Sequence, residues 1–134
     1  MKPKHVKMYM EIAECLARAS AGKRLQVGAV IVRDNNILST GYNALPAHID
    51  GPLEDDAGVT RVEVRHAEKN ALMALTKSNE SSVGATLFCT HACCLPCSID
   101  IVDAGIKKVY FREQYRDNSG VAYLKENNVD VEQI

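Results

Sequence analysis

No stretch of the sequence stays apolar for anything near the roughly 20 residues that a membrane span requires, so no transmembrane helix is expected. The opening residues, Met1-Lys2-Pro3-Lys4-His5, are not followed by the apolar core of a signal peptide, and a cytosolic protein is the expectation. Neither sign of charge is in excess: 16 basic residues face 17 acidic ones, for a net charge of -1. That balance gives no general attraction to nucleic acid or to an anionic membrane, although a small anionic ligand remains open. Internal repeats, low-complexity tracts and a dividing linker are missing as well. With 134 residues, 46% hydrophobic and 25% charged, one compact domain covering residues 1–134 is expected. A disulfide framework is disfavoured by the odd count of five cysteines, and by the crowding of Cys89, Cys93, Cys94 and Cys97, which points to metal instead. Cys15 stands apart in an apolar helical pattern and reads as a small buried hydrophobe.

What is present alternates regularly. Residues 4–20 carry Val6, Tyr9, Met10, Ala13, Leu16 and Ala17 at helical spacing and close at Ala21-Gly22. Residues 25–32 and 37–41 are apolar and rich in β-branched side chains, with the turn residues Asp34-Asn35-Asn36 between them, which predicts an antiparallel hairpin. Residues 42–63 hold Pro46, Gly51, Pro52, Glu54-Asp55-Asp56 and Gly58 without periodicity, and loops of such length in compact domains tend to be functional. Helices are then expected over 66–78, 94–104 and 120–126, and strands over 85–90, 107–112 and 129–131. An opening hairpin followed by alternating strands and helices predicts an α/β sandwich, a mixed sheet of about five strands with helices on both faces.

The chemistry-bearing residues fall at the predicted helix starts. Cys94 and Cys97 are three apart and share a helix face, so both sulfurs can reach one ion, and the positive helix end favours their thiolates. His66 begins the upstream helix. One histidine and two cysteines leave the fourth tetrahedral position of Zn²⁺ to water, as in catalytic zinc sites, and water there loses a proton near neutral pH. Glu68 follows His66 too closely to be a comfortable co-ligand but is well placed to touch that water. His66-Ala67-Glu68 followed by Cys94-Leu95-Pro96-Cys97 is the signature of zinc nucleobase deaminases, with the glutamate as acid/base and not a ligand. Cys93 reads as a buried thiol behind the ligands, His91 as part of the pocket rim, and His5 and His48 as solvated.

Beyond the zinc signature, the sequence resembles the deoxycytidylate deaminases, a branch of the cytidine deaminase superfamily, over nearly its whole length. The resemblance is carried by Val27-Gly28-Ala29-Val30-Ile31-Val32, by Gly41-Tyr42-Asn43 with Pro46, by Tyr115-Arg116-Asp117 and by the closing residues 120–131. It departs at Cys93, where the family pattern has proline. Nucleoside cytidine deaminases generally have cysteine where His66 stands, and tRNA adenosine deaminases lack the Tyr-Arg-Asp tail. The resemblance implies a cytidine-deaminase-like three-layer α/β/α sandwich with a mixed five-stranded sheet. It also implies hydrolysis of dCMP to dUMP, the thymidylate precursor, with one catalytic Zn²⁺ per chain; a second, structural zinc is not expected, because residues 42–65 contain no cysteine.

The same resemblance places Asn43 on the sugar or base, the Ala67 backbone on the pyrimidine 2-oxo group, and Arg24, Tyr115 and Arg116 on the 5′-phosphate, chemistry that forked guanidinium and phenolic donors suit. A surface ion pair of Arg116 with Asp117 is the alternative for that pair. Many family members are homohexamers activated by dCTP and inhibited by dTTP, with Mg²⁺ accompanying the effector, for which residues 42–63 are the expected seat. Short members occur in viruses and bacteriophages, where the location would be the host cytoplasm, and some accept dCTP as a substrate too. Two rivals stay open: a deaminase of another cytosine or guanine compound, and a non-catalytic module in which Cys93 completes a four-ligand zinc site.

Overall fold

The structure, a computed structural model, describes residues 1–134. It contains α1 (Pro3–Ala17), β1 (Gly28–Arg33), β2 (Asn36–Tyr42), α2 (Ala67–Leu75), β3 (Thr86–His91), α3 (Leu95–Asp103), β4 (Lys108–Glu113), α4 (Ser119–Glu126) and β5 (Asp130–Gln133). The strands form one mixed sheet in the order β2-β1-β3-β4-β5. β1 runs antiparallel to both β2 and β3, whereas β3, β4 and β5 are mutually parallel, each joined to the next by a crossover helix. The first hairpin turns through Asp34 and Asn35, both in the left-handed region at φ 52° and 60°, where short polar side chains are tolerated.

β1 separates two cores by simple alternation. Val30 and Val32 point to one face and join Tyr9, Met10 and Ala13 of α1, Phe88 of β3 and Tyr110 of β4. There the Phe88 ring stacks on Tyr110 at 4.9 Å between centroids and tilts against Tyr9 at 5.4 Å. Ala29 and Ile31 point the other way, into a larger cluster with Ala67, Ala71 and Leu75 of α2, Ile101 of α3 and Leu124 of α4. The result is the three-layer α/β/α sandwich, with α1 on one face and α2, α3 and α4 on the other.

Two expectations need correction. Cys15 is exposed, because α1 buries the stripe through Tyr9, Met10, Ala13 and Ala17, and Cys15 lies on the opposite side of the turn from Ala13 and Ala17. His5 is partly buried rather than fully solvated, whereas His48 is exposed. The segment between β2 and α2 has no helix or strand of its own. Its base is closed by reciprocal backbone bonds between Ala44 and Arg65, and Leu53 and Glu54 turn inward from its middle.

Candidate active site

The site is built where two helix starts meet. His66 is the residue preceding α2, and Cys94 the residue preceding α3, so both sit at the positive ends of their helices. Pro96 in the first turn of α3 costs no hydrogen bond there, because those amides lack intrahelical partners. Asn70 fixes the start of α2 by donating to the carbonyl of Tyr42 at 2.8 Å, at the end of β2. α4 closes from behind: a Cβ on Gly120 would run into the backbone of Cys93 and Cys94, so only glycine allows α4 to seat there.

This arrangement brings the His66 Nδ1 to 3.3 Å from the sulfur of Cys94 and 3.3 Å from that of Cys97. The three donor atoms lie within 4.8 Å of one another. Tetrahedral zinc, with bonds of about 2.0 to 2.3 Å, spaces its ligands roughly 3.5 to 3.8 Å apart, so the triad fits that ion with a small outward relaxation. The Cys97 thiol donates to Cys94, which with help from His66 draws Cys94 down to about 4. The same bond, and burial, push Cys97 up, so the pair already favours one thiolate. His66 is raised by its bond to Cys94.

Glu68 points inward from the first turn of α2 and is only 4% exposed. Burial pushes its carboxyl above the ordinary carboxylate range. Behind it lie the buried thiols of Cys89 and Cys93, which with the Glu68 carboxylate form a second compact group. Cys93 therefore groups with Glu68 and Cys89 rather than with the His66-Cys94-Cys97 triad.

Above this floor opens a cavity of about 270 Å³, lined among others by Arg24, Leu25, Val27, Asn43, His66, Ala67, Glu68, His91 and Tyr115. Of the residues singled out from the sequence, Arg24, Asn43, His66, Ala67, Glu68, Cys94 and Tyr115 share this cavity, whereas Cys97 and Arg116 lie outside its lining. Arg116 is exposed and outside the lining, and it forms no ion pair with Asp117, whose carboxylate instead accepts the backbone N–H of Ser119 at 2.9 Å. That bond holds Asp117 below its ordinary range. Asn43 is less free than a ligand contact alone would leave it: its Oδ1 accepts from the Val27 N–H at 2.9 Å and its Nδ2 donates to the Leu25 carbonyl at 2.8 Å. His91 lines the cavity, with Nδ1 3.0 Å from the Thr90 hydroxyl, and burial lowers its proton affinity. Sequence reasoning missed Glu54, a cavity residue only 8% exposed. The sequence carried no distinct signal for it, since Leu53 beside it is one of several apolar residues of the loop, with Leu45, Ile49, Val59 and Val62.

Residues 3–113 match the family model described as the cytidine and deoxycytidylate deaminase zinc-binding region. The chain belongs to the cytidine and deoxycytidylate deaminase family. Within that family it is 32% identical to the deoxycytidylate deaminase of Saccharomyces cerevisiae over 146 aligned residues, covering 100% of this chain but 46% of the yeast protein. Against the deoxycytidylate deaminase of Mycobacterium phage D29 it is 32% identical, covering 84% of this chain and 98% of the phage protein. Its fold superimposes on the dCMP deaminase of cyanophage S-TIM5, crystallised in complex with dCMP and dUMP, with a TM-score of 0.98, 42% identity and coverage of 100% and 99% of the two chains. The chain thus spans about half of the yeast relative and essentially all of the cyanophage one. No helix of this deaminase-family chain is long and apolar enough to cross a membrane.

Proposed function

We propose that the chain is a zinc-dependent deoxycytidylate deaminase, a single domain that converts dCMP and water to dUMP and ammonia. The observation that carries this reading is the clustering of the His66, Cys94 and Cys97 donors at a cavity that His66, Cys94 and the buried Glu68 line. The likeness to a cyanophage dCMP deaminase over both full chains supports the same substrate.

One zinc ion held by His66, Cys94 and Cys97 would supply a water acidified toward neutral pH. Glu68 would take a proton from the water as its oxygen bonds C4, deliver that proton to N3 of the cytosine ring, then collect the proton left on the C4 hydroxyl and pass it to the amino group, which departs as ammonia. Its burial favours the protonated form that the donor steps need. The Ala67 N–H stands at the first position of α2, where no intrahelical acceptor exists, and is free to donate to the 2-oxo group. Asn43 meets the sugar with whatever amide capacity its two backbone bonds leave. Arg24 and Tyr115, at the cavity wall, take the 5′-phosphate. Arg116, exposed beside Tyr115, adds positive potential at the mouth rather than a lining contact.

The family resemblance extends the proposal to regulation. A homohexamer activated by dCTP and inhibited by dTTP, with Mg²⁺ accompanying the effector, would use residues 42–63 as its effector seat. The product dUMP would feed thymidylate synthesis in the cytoplasm, that of a host cell if the source is viral. The test is a substrate panel of dCMP, dCTP, CMP, deoxycytidine, cytosine and guanine, run on metal-quantified protein with and without dCTP. Preferential conversion of dCMP is expected. Stoichiometric zinc with no dUMP formed would replace the enzyme by a structural zinc module, and turnover confined to guanine or cytosine would move it to another deaminase class.

A further inference from the structure

The segment that carries Arg24 is unusually dependent on side chains. No backbone-to-backbone hydrogen bond involves residues 21–26. Apart from Gly22, every residue of the segment is exposed, so packing does not hold it either. A Cβ on Gly22 would collide with the Leu25 carbonyl, which marks a tight reversal. Four side chains fix this turn. The Ser20 hydroxyl accepts the Gly22 N–H at 3.1 Å, Gln26 Nε2 donates to the Ser20 carbonyl at 2.8 Å, and Asn43 Nδ2 donates to the Leu25 carbonyl at 2.8 Å. The fourth is Glu54, whose Oε1 and Oε2 accept the Lys23 N–H at 3.2 and 3.1 Å, while Oε2 also accepts the Arg24 N–H at 3.4 Å.

Only Glu54 holds the amides of residues 23 and 24, and it reaches them from the middle of the loop between β2 and α2. A buried carboxylate in a cavity proposed to take a phosphate dianion is costly unless its lone pairs are occupied. Here they are occupied by the two backbone amides, and no cationic side chain pairs with it.

We propose that Glu54 is a positioning residue for nucleotide recognition: it clasps the Lys23–Arg24 backbone to the loop and so sets the Arg24 guanidinium at the phosphate end of the cavity. The inference rests on the reading of dCMP as substrate and Arg24 as a phosphate contact. It gives the loop a direct mechanical link to substrate affinity, because any shift of Glu54 moves the Arg24 backbone with it.

The experiment compares dCMP with deoxycytidine in the zinc-loaded full chain, in Glu54→Ala, Glu54→Gln, Arg24→Ala and the Glu54→Ala/Arg24→Ala double variant, with zinc content and circular dichroism measured on each. In Glu54→Ala the preference for dCMP over deoxycytidine should fall roughly tenfold, through KM for dCMP more than through kcat, since a misplaced binding group acts on affinity first. Glu54→Gln, which keeps one acceptor oxygen and the side-chain length, should retain more of the preference, and it keeps the test alive if the alanine variant fails to fold. The double variant should lose little beyond Arg24→Ala alone, because both changes act on one contact. An unchanged preference in Glu54→Ala, a parallel fall for both substrates, or full additivity with Arg24→Ala would overturn the inference. Absence of any dCMP preference in the unmodified chain is a different result, and it would overturn the nucleotide reading itself.

Discussion

A carboxylate that is 4% exposed, two residues from His66, the proposed zinc ligand, and unpaired with any cation, is expensive to keep in a core unless its proton is used. Glu68→Gln preserves shape and burial but cannot pass a proton. It should keep zinc and fold while lowering kcat at least about a hundredfold, the lower range of acid/base catalysis, with dUMP release and metal content as the readouts. A loss of less than about tenfold would remove the role from Glu68. Cys93 and Cys94 make the complementary case. Cys94 lies 3.3 Å from the imidazole and Cys93 faces Glu68 and Cys89 instead. Cys94→Ser should therefore lose stoichiometric zinc, whereas Cys93→Pro should retain it; the reverse would shift the ligand register by one residue. The grouping of His66, Glu68, Cys94 and Cys97 was legible in the sequence, since their spacing at two helix starts is a local property. The side-chain bonds of Asn43 and Glu54 were not, because their partners are backbone groups far along the chain, invisible to any local pattern. That Arg116 lies outside the cavity lining while Tyr115 belongs to it was not legible for a similar reason: adjacency in sequence does not determine which side chain turns inward.

At the level of elements, the order of helices and strands was readable because each switches clearly between helical and strand periodicity. The length of the β2–α2 segment was readable too, from its glycine, proline and acidic content. The buried stripe of α1 was readable as well, since Tyr9, Met10, Ala13 and Ala17 stood in its helical pattern; Cys15 was misplaced because lying within an apolar helix does not put a residue on the stripe that packs on Val30, Val32 and Phe88. α4 packs on the α3 side of the site, where Gly120 approaches the Cys93–Cys94 backbone closely. Gly120→Ala would place its Cβ 2.7 Å from the Cys94 carbonyl carbon, against backbone that cannot rotate away. We expect a cost of about 1 to 3 kcal/mol in urea unfolding, typical of overpacking, together with weakened zinc retention under a chelator. Unchanged stability and zinc affinity would mean that α4 can withdraw without disturbing the ligand helix.

For the molecule as a whole, a net charge of -1 means that the proposed phosphate recognition would fall to a few placed groups rather than to a general field. Arg24 and Tyr115 lie far apart in the sequence yet line the same cavity as His66, Cys94 and Glu68, and the three-layer sandwich is what brings them there. Charge-assisted hydrogen bonds of the kind they offer are worth about 1.5 to 3 kcal/mol each. Two of them correspond to a discrimination of roughly a hundredfold or more between a nucleotide and its nucleoside. The most direct measurement is thus kcat/KM for dCMP and for deoxycytidine, on one preparation of the unmodified chain with its zinc quantified. A zinc-dependent rate with dCMP at least about a hundredfold above deoxycytidine is the predicted result; equal rates with the two substrates, or no dUMP from the zinc-loaded protein, would contradict it.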